Sequence, residues 1–293
     1  MKTAFAGLGV MGAPMARHLL GAGHEVTGFN RSPAKAQAWA EANGGAWSAT
    51  VAGAASGAEL FVLCVGNDDD VRQVVGEALP HLAAGAVIVD HTTTSAKVAR
   101  EMAALAAESG RFFIDAPVSG GQAGAENGQL SVMAGGDADA LSRVEAAVMA
   151  YSKAIKHMGP SGAGQLTKMV NQIAIAGVVQ GLAEAVHFAQ AAGLDTDAAY
   201  DAVSKGAAQS WQMDNRWKSA AKGEFEFGFA VDWMRKDLGL VLDEARANGA
   251  HLALTALVDQ FYSEVQAMAE TAGTPPASRR GCRRVNPAKA GGA

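Results

Sequence analysis

Gly7-Leu8-Gly9-Val10-Met11-Gly12 follows the apolar run Thr3–Ala6 directly and opens a helical pattern, and this junction constrains the fold more tightly than any other segment. A G-x-G-x-x-G loop between strand and helix supplies a tight turn, close backbone approach to a pyrophosphate and close helix-strand contact. The helix N-terminus adds unpaired N–H donors, and Pro14 sits in the first turn, where a missing N–H costs nothing. Gly7, Leu8, Gly9, Val10, Met11 and Gly12 are therefore the expected phosphate-binding residues of a dinucleotide site.

The rest of the chain agrees with that start. Up to about Pro160, short β-branched runs alternate with Ala-rich helical stretches, the pattern of a parallel sheet covered on both faces. Strands are expected at Thr3–Ala6, Glu25–Phe29, Leu60–Val65, Val87–Asp90, Phe112–Asp115, Ser131–Ala134 and Ala154–His157. Between most of them Ala-rich helices are expected, such as Met11–Ala22, Pro33–Ala42, Asp69–Val75 and Ala96–Glu108. After the turn at Gly159-Pro160-Ser161-Gly162 a long helical pattern covers about Gly164–Ala192. Further helices follow at Asp197–Lys205, Met213–Ala221, Phe229–Asn248 and Ala253–Ala269. The predicted architecture is α/β: a Rossmann-type doubly wound sheet over residues 1–161, then an all-α domain over 162–271 reached through the long helix. Residues 272–293, rich in Pro, Gly and Arg, read as a disordered tail.

Composition narrows the partners. Twenty-four Lys and Arg against 29 Asp and Glu give a net charge of -5, which disfavours nucleic acid and anionic membrane. Cys64 and Cys282 form no metal-ligand cluster or disulfide framework, so no metal is expected and a reducing, cytoplasmic compartment fits. No stretch approaches the roughly 18 to 20 uninterrupted apolar residues of a membrane span.

Three further segments carry chemistry. Asn30-Arg31-Ser32 ends the second predicted strand, where an NAD-selective site places an acid for the ribose hydroxyls. Arg31 instead suits a 2′-phosphate, with Asn30 and Ser32 as hydrogen-bond donors, so NADP is expected over NAD. Val65, at the carboxyl end of its strand, lies on the same ligand-binding edge. Asp115-Ala116-Pro117-Val118-Ser119-Gly120-Gly121 also closes a strand, and Ser119 with the N–H groups of Gly120 and Gly121 forms a donor nest for a carboxylate. On the long helix, Lys168 and Asn171 are three residues apart and share a face. The nearby Leu166, Met169, Val170 and Ile173 form an apolar surface, which implies a cleft for the polar pair.

In this order, GLGVMG at Gly7, DAPVSGG at Asp115, the glycine-lysine-asparagine segment ending at Asn171 and Lys236-Asp237-Leu238 resemble the β-hydroxyacid dehydrogenase family over residues 1 to about 269. The resemblance implies reversible hydride transfer between a nicotinamide and the β-carbon of a short 3-hydroxy or 3-oxo acid. It implies Lys168 as the catalytic lysine, Asn171 as the substrate-orienting amide, and Ser119, Gly120 and Gly121 as the carboxylate loop. It further places Thr93 at the cofactor and Lys236 near cofactor and substrate. Homodimers or homotetramers are implied, in keeping with the apolar Leu182, Val186, Phe188, Leu252, Leu254, Leu257 and Phe261 in the helical half.

Asn171-Gln172, where many relatives carry two asparagines, resembles the branch that reduces 2-hydroxy-3-oxopropionate. Gly206-Ala207-Ala208-Gln209-Ser210-Trp211 departs from that branch and from the 3-hydroxyisobutyrate branch, which leaves a β-hydroxy amino acid as an alternative substrate. Imine reductases resemble this family without a lysine at the Lys168 position, and a non-catalytic binding module would also dispense with it. A nucleotide-dependent transcriptional sensor is a weaker third alternative, which nicotinamide turnover would separate from an enzyme. Where relatives resemble Asn-Arg-Trp-Asp-Thr-Ser-Ser-Leu, this chain has Glu270 to Ser278. The back-translation GAA ACC GCT GGG ACA CCT CCA GCC TCA, begun at its third base, encodes that run. The tail is therefore expected to be the product of a shifted reading frame.

Overall fold

A computed structural model describes residues 1–225 and 230–271, without the side chains of 269–271. The tail read as disordered and frame-shifted lies outside the described residues, as does Phe229 at the start of a predicted helix. The chain divides into two compact units, Met1–Lys168 and Met169–Ala293, and the division falls inside the long helix.

The first unit begins β1 (Lys2–Ala6), α1 (Gly12–Gly21), β2 (Glu25–Phe29), α2 (Pro33–Asn43), β3 (Ala46–Ser48), α3 (Val51–Ala55), β4 (Leu60–Leu63) and α4 (Asp68–Ala78). It continues with β5 (Val87–Asp90), α5 (Ala96–Glu108), β6 (Phe112–Asp115), β7 (Val118–Ser119), α6 (Gly121–Glu126), β8 (Leu130–Gly135), α7 (Ala138–Met149) and β9 (Ser152–Gly159), and then enters α8 (Ala163–Ala191). The strand order is β3-β2-β1-β4-β5-β6-β8-β7, with β9 on β8. Side chains alternate between two cores: Phe5, Leu60 and Val62 meet Met15, Leu19 and Trp39 on one face. Ala4, Phe61, Leu63 and Ile88 meet Val71, Val75 and Met102 on the other.

The parallel sheet expected from the sequence holds from β1 to β6, while β8 runs antiparallel to β6 and β7. The ten residues between Ser119 and Leu130 hold only the short α6 and a turn. A parallel return needs a crossover of a dozen or more residues, so the chain comes back the other way. β3, α3, β7 and α6 escaped the sequence reading because two to six residues show no periodicity.

The second unit holds the remainder of α8, α9 (Thr196–Val203), α10 (Trp211–Lys222), α11 (Val231–Asn248) and α12 (Ala253–Thr271). Ala176, Met234, Leu238 and Val258 form one small core, and Leu182, Val186, Met213 and Trp217 another. Leu182 and Val186 are thus interior, whereas Phe188, Leu254 and Leu257 are 70%, 56% and 51% exposed. By length and composition α8 is the one helix among the described residues that could cross a membrane. Only 28% of its most apolar window is buried, and Gln172, Gln180 and Glu184 interrupt its apolar run.

Candidate active site

The strand order reverses direction between β1 and β4, the switch point at which open α/β sheets bind ligands. The loop after β1 lies there, and its glycines are needed one by one. Gly7 has φ +97°, and a Cβ on it would stand 2.1 Å from the Cys64 carbonyl oxygen. A Cβ on Gly12 would stand 1.9 Å from the Gly7 oxygen and 2.9 Å from the Phe5 ring. Gly9 faces open space, with nothing within 4 Å, which is the room a pyrophosphate requires. Val10 is exposed, Met11 occupies the N-cap position of α1 without a side-chain capping bond, and Leu8 is buried with its N–H bound to Asn30 Oδ1 at 3.1 Å. These residues fit a dinucleotide.

Asn30 Nδ2 donates to the Ser32 carbonyl at 3.3 Å, so both ends of this side chain brace the loop. Ser32 occupies the N-cap of α2 without a side-chain capping bond. Arg31 is 90% exposed beside Asp70, with 3.6 Å between charged atoms, a surface pair that contributes little to stability.

A second loop, after β5, is held from both sides. Thr92 Oγ1 accepts the Val65 N–H at 3.0 Å, and Val65 itself lines Gly7. The Thr94 N–H donates to Gln165 Oε1 at 3.0 Å, and Gln165 Nε2 donates to the Thr92 carbonyl at 2.8 Å. Between these two buried threonines Thr93 is partly exposed. His91 is buried with Nδ1 2.6 Å from the Ala116 carbonyl and Nε2 2.8 Å from the Tyr151 hydroxyl. The carbonyl can only accept, so Nδ1 carries the proton and the tyrosine donates to Nε2. Burial lowers the His91 pKa to about 4, which keeps the ring neutral.

Asp115, at the end of β6, clasps the start of α8. Its carboxylate accepts the Gly162 N–H at 2.7 Å and the Gln165 N–H at 3.0 Å. Burial pushes its pKa up to about 6, against the opposing pull of those backbone bonds. One turn further on, Lys168 donates to the Val118 carbonyl at 2.8 Å and is 8% exposed. The lysine ammonium is thereby tied to the residue before Ser119, while Gly120 (φ +131°) and Gly121 (φ +61°) turn the chain into α6.

The sequence reading placed the apolar face of α8 at Leu166, Met169, Val170 and Ile173, yet Val170 is 65% exposed. The buried stripe is Gln165, Lys168, Met169, Gln172 and Ala176, at helical spacing but largely polar. Specific hydrogen bonds hold its polar members, Gln165, Lys168 and Gln172, while Ala176 packs in an apolar core.

In the helical unit, Asn171 Nδ2 donates to Gln172 Oε1 at 2.8 Å, and Gln172 Nε2 donates to Asp237 Oδ2 at 2.7 Å. Lys236 Nζ lies 3.2 Å from Asp237 Oδ1 and 5.7 Å from the Trp233 ring centroid. The sequence reading gave no role to Asp115, Gln165 or Asp237, and took Gln172 only as a sign of substrate branch. The available signal was an acid closing an apolar strand (FFID) and polar residues at buried helical spacing. Among the described residues no group of three or more His, Cys, Asp or Glu could hold a metal ion.

Comparison with known proteins identifies what the chain is similar to. Residues 2–159 match the family described as the NAD-binding domain of 6-phosphogluconate dehydrogenase. Residues 162–274 match the NAD-binding family of NADP-dependent 3-hydroxyisobutyrate dehydrogenase. An uncharacterised oxidoreductase of Shewanella frigidimarina is 61% identical over 91% of this chain and 93% of its own length. A probable mitochondrial 3-hydroxyisobutyrate dehydrogenase-like protein of Arabidopsis thaliana is 39% identical over 92% of this chain and 81% of its own. Among solved structures, Mycobacterium tuberculosis 3-hydroxyisobutyrate dehydrogenase with L-serine superposes with a TM-score of 0.84. It is 33% identical and covers 91% of this chain and 94% of that one.

Proposed function

The chain belongs to the β-hydroxyacid dehydrogenase family, the 3-hydroxyisobutyrate dehydrogenase-like oxidoreductases that bind NAD(P) and act on CH–OH groups, and on that premise we propose an NADP-preferring enzyme for short 3-hydroxy and 3-oxo acids. The observation that carries the proposal is the buried Lys168 ammonium held 2.8 Å from the Val118 carbonyl, one residue from Ser119. That tether sets a proton donor beside a loop whose hydroxyl and N–H groups suit a carboxylate. An acid with its hydroxyl or oxo group on the β-carbon presents a partner to each.

Gly7–Gly12, Val65 and Thr93 hold the dinucleotide, and Arg31 takes its 2′-phosphate. When bound, the nicotinamide supplies or accepts the hydride. Ser119, Gly120 and Gly121 bind the substrate carboxylate. Lys168 gives a proton to the substrate oxygen during carbonyl reduction and removes it during alcohol oxidation. Its positive charge also stabilises negative charge developing on that oxygen. Asn171, three residues on along the same helix, orients the group on which Lys168 acts, and Lys236 adds a second cation for cofactor and substrate.

Within this class, 2-hydroxy-3-oxopropionate and 3-hydroxyisobutyrate are the leading substrates. A β-hydroxy amino acid is the second reading, favoured by L-serine in the M. tuberculosis relative's structure, since serine carries a carboxylate and a β-hydroxyl. NADP reduction across glycerate, 3-hydroxyisobutyrate, serine and the threonine stereoisomers separates the two. Lys168→Ala is expected to lower turnover by roughly 10² to 10⁴ while leaving NADP affinity nearly unchanged. Retained turnover in a folded Lys168→Ala protein overturns the mechanism.

The proposal extends to assembly as a homodimer or homotetramer. The most apolar part of α8 is only 28% buried, and exposed Val170, Val178 and Phe188 on that helix accompany exposed Leu254 and Leu257 on α12. Unpaired apolar surface of this kind is stabilised by a second copy.

A further inference from the structure

Gln172 is buried at 3% exposure, yet its whole amide is engaged: Oε1 accepts from Asn171 and Nε2 donates to Asp237, whose other oxygen faces Lys236. Four polar side chains therefore form one line within the helical unit, Asn171 to Gln172 to Asp237 to Lys236. The two ends of that line are the residues assigned above to substrate and cofactor, and its interior is shielded from water.

We infer that Gln172 is a positioning residue that orients the Asn171 amide and couples it to the Asp237–Lys236 ion pair. An amide is the group that suits this place, because it accepts at one end and donates at the other. Accepting from Asn171 Nδ2 fixes the rotation of the Asn171 amide. Donating to Asp237 satisfies a carboxylate that is itself only 4% exposed and directs its second oxygen to Lys236. A shorter Asn at this position lacks the methylene that spans both neighbours. Gln172 thus acts on catalysis through Asn171 and does not read the substrate itself, which removes its weight as a marker of substrate branch. Met234 Sδ, 3.7 Å from Nε2, packs against the same amide and completes its enclosure.

The inference rests on the proposed role of Asn171, and a double-mutant cycle separates the two. Gln172→Met keeps length and volume but deletes both hydrogen bonds. It is expected to lower kcat by about 10- to 100-fold, as slight misplacement of a catalytic group does, with the KM for NADP changed by less than about twofold. Gln172→Asn, which retains a polar group should the methionine variant fail to fold, is expected to lower kcat in the same sense. The decisive measurement is Asn171→Ala combined with Gln172→Met. If Gln172 works through Asn171, the double variant is no more than about twofold slower than Asn171→Ala alone. Multiplicative losses would assign Gln172 a purely structural part and overturn the inference, as would wild-type kcat in Gln172→Met or Gln172→Asn beside a slow Asn171→Ala enzyme. Full turnover in Asn171→Ala would instead remove the role of Asn171 and the coupling built on it.

Discussion

Replacing Asp115 with asparagine tests whether this enzyme keeps a buried carboxylate at a cost in stability. In the wild type the two oxygens accept N–H groups of Gly162 and Gln165 at 2.7 and 3.0 Å, and burial pushes the pKa from 3.8 to about 6. The folded state therefore prefers the protonated acid. The stabilisation belonging to that preference is fully present below the unfolded pKa and is lost as pH rises through about 6. At about 1.4 kcal/mol per pH unit the full swing is roughly 3 kcal/mol, of which about 2 kcal/mol falls between pH 4.5 and 7.5. The amide introduced by Asp115→Asn cannot titrate, and its NH₂ faces a backbone donor, which costs about 1 to 3 kcal/mol. Urea unfolding of both proteins across that window should show the wild-type advantage shrinking by about 2 kcal/mol as pH rises. His91 moves the other way, its lowered pKa of about 4 costing stability as pH falls. It is present in both proteins and cancels in the difference. Parallel curves, with a gap constant to about 0.5 kcal/mol, would refute the reasoning and show that the Asp115 pKa is not raised.

Arg31→Ala should weaken NADP by about tenfold or more, since a charge-assisted contact is worth roughly 1.5 to 3 kcal/mol, and leave NAD nearly unchanged; equal losses in titrations of both cofactors would make Arg31 a supporting residue. Light scattering at micromolar concentration should report a dimer or tetramer, and Leu257→Glu together with Phe188→Glu should shift it toward monomer; a monomeric wild type would refute assembly through this surface. Resequencing the gene across Glu270–Ser278 should find codons that read Asn-Arg-Trp-Asp-Thr-Ser-Ser-Leu in the shifted frame, and codons incompatible with that reading would make the tail native.

Local patterns carried the nucleotide-binding half of this protein into view. A strand, GLGVMG and a helix are contiguous, so spacing alone exposes the loop; the steric demand on Gly12 is local, from Gly7 and Phe5, whereas that on Gly7 comes from the Cys64 carbonyl just past β4 and exists only in the folded sheet. The strands LFVL and VIVD were equally legible, because burial on both faces of a sheet leaves an uninterrupted apolar run. Lys168, Asn171 and Ser119 were legible as types at particular places. How they are held was not. Asp115 reaches Gly162 across 47 residues, His91 reaches Tyr151 across 60, and Gln165 reaches Thr92 across 73. Gln172 reaches Asp237 across 65. A hydrogen bond between such partners leaves no periodic trace, since each residue's local context is satisfied without the other. The buried face of α8 was misread for the same reason: hydropathy predicts that apolar side chains go inside, but a polar side chain with a distant partner is buried just as firmly. Sheet order, the antiparallel return of β8 and the polar stripe of α8 all depend on contacts that exist only once the chain has folded.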